Sequence, residues 1–362
     1  MDALGSQGDV LVAWCADSRP ASTKNAVGRR TALAAMGAAA LGGLGDRLMP
    51  ANTKASRDDT RRQALERFSP ASRERLLDLI NQTGFSGQFS QAAARNLTAA
   101  EGRNVEALMT DLLPLAQTYA RPPISNYRVG AVVLGASGSL YLGANFEVPG
   151  QALGFAVHAE QAALSNAYMH GEAGVSTIAV TAAPCGHCRQ FMKELAPDGD
   201  LRVLIGGAGA APVATATLAS LLPMAFGPKD LGLDQGAFPI REVAMSLAAG
   251  ASDSLSEAAL SAARRSWAPY SKAHSGIAIA TRRGGVYKGS YIENAAFNPS
   301  LPPLETALVA LVLGGEETAD ISRAVLAEMK GASITQKGVT EVVLTGVAPA
   351  VSLQVVAATP GA

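Results

Sequence analysis

The sequence predicts an α/β fold that occurs twice in one chain, and three features carry that expectation. From about Arg121 the apolar spacing changes from helical to strand-like, and strands then alternate with helices, the order of a layered α/β domain. Gly130-Ala131-Val132-Val133 is echoed by Gly276-Ile277-Ala278-Ile279, and the interval from Gly130 to Asn145 equals that from Gly276 to Tyr291. The second copy also lacks cysteine, since none follows Cys188.

A chain of 362 residues has length for two or three domains with sizeable cores. Lys+Arg and Asp+Glu both number 30, so the net charge is zero and nothing steers the protein toward a phosphate backbone or an anionic membrane. No basic run with interleaved aromatics is present either. A small neutral substrate is expected, with neither nucleic acid nor membrane as partner. Three cysteines cannot build a disulfide framework, which fits a reducing compartment and a cytoplasmic location.

Residues 1–60 read as a disordered or signal-like extension, with Cys15 an incidental thiol. Arg29-Arg30 before the small-residue run Ala32–Leu44 leaves export through a twin-arginine-like signal as the alternative, although no clean cleavage site follows. The run is too short and too Gly-rich to span a bilayer. Residues 61–120 read as helical. Ser69-Pro70 caps one helix and the box Thr98-Ala99-Ala100-Glu101 is expected to open another, kinked at Pro114.

Residues 121–206 read as the first α/β domain. A hairpin pairs Tyr127–Gly135 with Leu140–Phe146; a helix from His158, a strand to Thr181, a helix from Gly186 and a strand at Leu201–Ile205 follow. Residues 207–250 are too rich in Pro and Gly for regular structure and read as a linker. Residues 251–346 repeat the domain. Allowing one deletion, Pro303-Leu304-Glu305 falls opposite His158-Ala159-Glu160, so the copy keeps the scaffold without the ligands; residues 347–362 read as a tail.

The chemistry is concentrated in His158-Ala159-Glu160 and Pro184-Cys185-Gly186-His187-Cys188. One imidazole and two thiolates suit zinc, and three protein ligands leave the fourth tetrahedral position to water, the catalytic arrangement. Both ligand sets start helices, whose positive N-terminal ends favour thiolates at Cys185 and Cys188. Two thiolates hold the pKa of such a water up, so a nearby carboxylate is needed to take its proton, and Glu160 is placed for that. A redox pair would need a thioredoxin-like context, and a structural zinc would need a fourth ligand, for which His187 and His170 are poorly placed. The pattern H-x-E…P-C-x-x-C is the signature of zinc nucleobase deaminases.

From about Leu108 to Lys330 the chain resembles the cytidine deaminase family in its long, two-domain form. The resemblance is carried by Ile124-Ser125-Asn126-Tyr127, Gly143-Ala144-Asn145-Phe146-Glu147, Val157–Gln161, Pro184–Met192, Ala225–Asp230 and Glu293–Pro299. It implies a duplicated three-layer α-β-α fold, one zinc ion per chain on His158, Cys185 and Cys188, a homodimer, and hydrolysis of cytidine and deoxycytidine to their uracil counterparts in pyrimidine salvage. Glu160 would shuttle protons, and Asn145 and Glu147 would hold the ribose. The Ala159 N–H would meet the pyrimidine O2, and Tyr127 would lie against the base. Phe226 would arrive across the dimer interface. Tyr127 stands where the family often has Phe, and Ala183 where it commonly has Thr; a backbone carbonyl at Ala183 can still accept from the 4-amino group. The rival readings are a polynucleotide deaminase, which the neutral charge disfavours, and a zinc-stabilised interaction protein without turnover.

Overall fold

The computed structural model describes residues 54–206, 212, 214–248 and 253–361. Cys15, the Arg29-Arg30 pair and nearly all of the expected extension therefore lie outside the described residues. Helices α1 (Lys54–Ala64) and α2 (Pro70–Ile80) come first, α2 capped by the Ser69 hydroxyl, which accepts from the Ser72 N–H. Helix α3 (Gln91–Glu101) closes where the sequence suggested an opening. Gly102 takes the left-handed conformation (φ 61°) that ends a helix, and Asn104 caps α4 (Val105–Asp111) instead. Glu101 accepts from the backbone and hydroxyl of Ser69 rather than closing a capping box. Pro114 falls in the first turn of α5 (Leu113–Gln117), where proline is tolerated, so the chain breaks there instead of bending.

The first sheet contains β1 (Gln88–Phe89), β2 (Gly130–Gly135), β3 (Leu140–Ala144), β4 (Val175–Val180), β5 (Arg202–Ile205) and β6 (Ala214–Thr217), in the order β1-β3-β2-β4-β5-β6. The second contains β7 (Met245–Leu247), β8 (Ser275–Thr281), β9 (Val286–Ser290), β10 (Ile321–Met329) and β11 (Leu353–Pro360), in the order β7-β11-β10-β8-β9. Set side by side, β3-β2-β4-β5-β6 and β9-β8-β10-β11-β7 match strand for strand. In each only one neighbouring pair is parallel, β4 with β5 and β10 with β11. Parallel neighbours need a crossover, supplied by α7 (Gly186–Leu195) and by α11 (Lys337–Val347).

Two expectations are corrected here. The stretch read as a linker gives an edge strand to each sheet and the short helix α8 (Leu218–Leu221), and the stretch read as a tail is β11, held between β10 and β7. Strands β6 and β7 are short and lie close to Gly- and Pro-rich sequence, which hid them, whereas β11 runs 8 residues and Leu353-Gln354-Val355-Val356 has the β-branched character of a strand.

Glycines show how the layers form. A side chain at Gly143 would sit 2.1 Å from the Ala163 nitrogen of α6 (Ala159–Met169), and one at Gly130 would sit 2.8 Å from the Leu113 oxygen of α5. Gly143 pairs with Ala131 and Gly130 with Ala144, so the two glycines lie on opposite faces and the sheet is covered by helices on both. In the second copy Gly289 meets α10 (Pro303–Leu313), 2.0 Å from the Pro303 oxygen, and Gly276 meets α9 (Ser254–Arg264) on the other face.

These contacts also fix the register of the repeat. Gly143 abuts Ala159 and Ala163, whereas Gly289 abuts Pro303 and Ala307. Pro302 therefore stands at the helix-capping place of His158, Leu304 stands opposite Glu160, and Glu305 opposite Gln161. The register expected from sequence was one residue out, because the loop before α10 is shorter than the one before α6. The degenerate copy has thus lost the acid as well as the ligands.

Residues Ala159–Tyr168 of α6 are all buried, as expected for a helix without a solvent face. It lies between its own sheet and α10, and one apolar core runs through both copies. No helix among the described residues is long and apolar enough to cross a membrane.

Candidate zinc site

His158 ends the extended segment that pairs with Phe146 and forms the N-cap of α6, its own N–H donating to Gln161 Oε1 at 3.1 Å. Cys185 is the N-cap of α7, and Cys188 lies in its first turn. The Arg189 guanidinium fixes the approach by donating to the carbonyls of Pro184 and Leu221, each at 2.8 Å. Gln161 and Arg189 both fall within the matched motifs, but only a capping reading of His158-x-x-Gln161 could have shown what the first does.

The three ligand residues converge. Cys185 Sγ lies 3.5 Å from His158 Nδ1 and 3.6 Å from Cys188 Sγ, and Cys188 Sγ lies 3.3 Å from His158 Nδ1. With Zn–S near 2.3 Å and Zn–N near 2.0 Å, a tetrahedron sets S···S at about 3.8 Å and S···N at about 3.5 Å. The side chains are thus spaced as zinc requires. Among the described residues they are the only such cluster, and no fourth side chain belongs to it. His187 stacks beside His158 with ring centroids 5.5 Å apart, and burial pushes its pKa down. His170 is taken up by Ser86 and the Asn166 carbonyl, and His274 by Ser266.

The contact between the two sulfurs holds the Cys185 thiol down at about 4 and pushes Cys188 up. A divalent cation held there would take both sulfurs as thiolates. Glu160 is 5% exposed and interacts with the Cys188 sulfur. Burial pushes its carboxyl up, opposed by its own backbone N–H and by His158. The carboxyl thus lies buried against the three-residue cluster.

The residues expected at the sugar and base are arranged less simply. Asn145 accepts from the Val129 N–H (2.8 Å) and donates to the Tyr127 carbonyl (2.8 Å). Glu147 accepts from the N–H groups of Ile124 (2.7 Å) and Ser125 (2.9 Å) and from the Ser125 hydroxyl. Burial alone would raise its pKa, but these donors hold it below the usual range. Glu293 makes the same contacts with Tyr270 and Ser271 in the copy without ligands, so this pattern belongs to the scaffold. Oε2 of Glu147 already takes both backbone donors, so its remaining acceptor capacity lies on Oε1, and Asn145 retains one N–H. Tyr127 is 62% and Phe226 46% exposed, Ala159 is buried at the first position of α6, and Ala183 is exposed beside Pro184. Gln190 of α7 donates to the Phe226 carbonyl at 2.8 Å, which ties that aromatic segment to the cysteine helix.

Comparison with known proteins agrees with this geometry. The family model for the cytidine and deoxycytidylate deaminase zinc-binding region matches residues 103–201, and a second model of the same description matches residues 218–341. The cytidine deaminase of Sodalis glossinidius is 44% identical over 294 residues, covering 78% of this chain and 93% of that protein. That of Cronobacter sakazakii is 43% identical with the same coverage. That of Vibrio cholerae serotype O1 is 40% identical over 80% of this chain and 96% of its own. The chain belongs to the cytidine deaminase family, in its long form with two zinc-binding-region repeats of which only the first keeps the ligands.

Proposed function

We infer that this protein is a zinc-dependent hydrolase that converts cytidine and deoxycytidine to uridine and deoxyuridine with release of ammonia. The observation that carries this reading is the tetrahedral spacing of His158, Cys185 and Cys188 beside the buried carboxyl of Glu160. Zinc held by His158, Cys185 and Cys188 would supply a Lewis acid that activates a water as the nucleophile. Glu160 accepts one proton of that water and passes it to N3 of the pyrimidine as the oxygen bonds to C4. It then moves the remaining hydroxyl proton to the 4-amino group. The C4–N bond breaks, ammonia leaves and the C4 carbonyl forms.

The Ala159 N–H, free at the first helical position, suits the pyrimidine O2, and the Ala183 carbonyl suits the amino group. Asn145 and Glu147 bind the ribose through their unused capacity, Tyr127 covers the base, and a carboxylate at the sugar disfavours phosphorylated substrates. Exposed apolar side chains at Tyr127, Met224, Phe226 and Phe297 support a homodimer in which Phe226 reaches the partner's site. The reading places the enzyme in pyrimidine salvage, in a compartment that keeps the thiols reduced.

Ammonia release from cytidine, CMP and a single-stranded oligonucleotide, each with and without a chelator, tests the assignment. Turnover of cytidine alone, abolished by chelation and restored by zinc, is expected. Preference for the oligonucleotide would replace this reading with a polynucleotide deaminase, and release from none would leave a zinc-bearing interaction protein.

A further inference from the structure

Helices α6 and α7 serve the metal site only at their first turns. Their far ends are gripped by one short stretch of the copy that has no ligands, from Arg265 to Tyr270. The Arg265 guanidinium donates to the carbonyls of Met169 (3.1 Å) and Tyr168 (3.3 Å) in the last turn of α6, and the Tyr168 hydroxyl donates back to the Arg265 carbonyl. A cation there meets the last carbonyls of the helix and the negative end of its dipole. Nearby on the same stretch, Trp267 Nε1 (2.6 Å) and the Tyr270 hydroxyl (2.7 Å) donate to Glu194 Oε1, near the end of α7. Glu194 Oε2 accepts from the Ala295 N–H at 2.8 Å, so each of these donors comes from the second copy, and the carboxylate is 0% exposed. One turn nearer the cysteines, Asn294 Nδ2 donates to the Gln190 carbonyl at 3.0 Å.

We propose that Glu194 and Arg265 are positioning residues through which the ligandless copy sets the angle between α6 and α7, and so the distance between His158 and the two cysteines. The inference rests on the zinc reading above. Apolar packing alone tolerates small slides and tilts, whereas these hydrogen bonds are directional. At 1.5 Å per residue Cys185 stands about 14 Å along the helix from Glu194, so a tilt of about 4° at the clamp displaces its sulfur by about 1 Å. Metal–ligand distances tolerate only about 0.2 Å. A buried carboxylate with three donors and a guanidinium on two carbonyls are thus suited to holding the ligands at the spacing observed.

The test compares Glu194→Ala, Glu194→Gln, Arg265→Met and Arg265→Lys in the full chain with Leu76→Ala, which loosens α2. Zinc release to a chromophoric chelator and the thiolate-to-metal and d–d bands of the cobalt-substituted protein are read beside kcat per bound zinc and KM. Glu194→Ala and Arg265→Met are expected to release zinc at least about 10-fold faster, shift the cobalt bands and lower kcat. KM should stay within about 3-fold, the signature of a lost arrangement rather than lost substrate contact. Gln keeps an acceptor for Trp267 and Tyr270 but turns a donor toward Ala295, so Glu194→Gln should fall between; Arg265→Lys should recover part. Should the alanine variant fail to fold, the Gln and Lys variants carry the comparison. Melting points that fall while zinc release and cobalt bands stay unchanged, or a matching response in Leu76→Ala, would overturn the proposal. A parent protein that takes up neither zinc nor cobalt would remove the zinc reading and this inference with it.

Discussion

The Cys188 sulfur lies 3.3 Å from His158 Nδ1, although one residue sits in the first turn of α7 and the other caps α6. Two helix starts meet at a single point, and neither ligand set closes a site alone. Replacing His158, Cys185 or Cys188 with Ala should therefore reduce zinc from one ion per chain to well below that, measured by elemental analysis after dialysis. Full occupancy in any of the three would remove that residue from the ligand set.

Glu160 separates metal binding from turnover. Glu160→Gln keeps the volume and should keep the zinc while lowering kcat by about 10²–10⁴-fold, the range for loss of a general acid–base. Its ionised form is the working base, so kcat/KM should fall on the acid side through a limb that Glu160→Gln removes. A limb that persists in Glu160→Gln would assign it to another group.

Glu147 and Glu293 make the same scaffold contacts, yet only Glu147 lies in the copy with ligands. Glu147→Gln and Glu293→Gln should both lower the melting temperature, but only the first should raise KM for cytidine. An unchanged KM in Glu147→Gln would restrict that residue to holding its loop.

Glu305 is wholly buried with Oε2 unpartnered, and burial pushes its pKa up to about 8 from the ordinary 4.5. The folded protein then binds a proton that the unfolded chain gives up, so its contribution to stability falls as pH rises from about 4.5 to about 8. Glu305→Gln should match the parent in acid and pull ahead of it through that window, by about 1.4 kcal/mol for each pH step of one. Parallel melting curves across that range would show the carboxyl already neutralised by another group.

Gly143 leaves no room for a side chain between β3 and α6, because a Cβ would stand 2.1 Å from the Ala163 nitrogen. Gly143→Ala should destabilise the protein by about 1–3 kcal/mol or more, with loss of zinc, since α6 carries His158. A variant with normal melting and full metal would mean that the helix moves away without cost to the site.

The cluster of His158, Cys185 and Cys188 was legible in the sequence because metal chemistry restricts residue type and spacing together. His158, Cys185, Cys188 and Glu160 fall within two short runs that open helices. The duplication was also visible in Gly130 and Gly276, each of which lets a helix approach the sheet. The register of the second copy was not, because a loop length decides whether Pro302 or Pro303 stands at the cap, and no local preference fixes a loop length. Strands β6 and β7 were missed since a short strand is specified by its neighbours in the sheet, whereas β11 is long enough to carry its own signal in Val355 and Val356. The roles of Glu194 and Arg265 were invisible for a related reason: their partners come from the other copy, far along the chain.

Because α6 has no side open to water, the metal-bearing half is not a detachable module. A shortened gene encoding that half alone would bare the flank that α10 covers. Losing its own chemistry did not free the second copy to drift away: it survives as a permanent lining that its active sibling cannot shed.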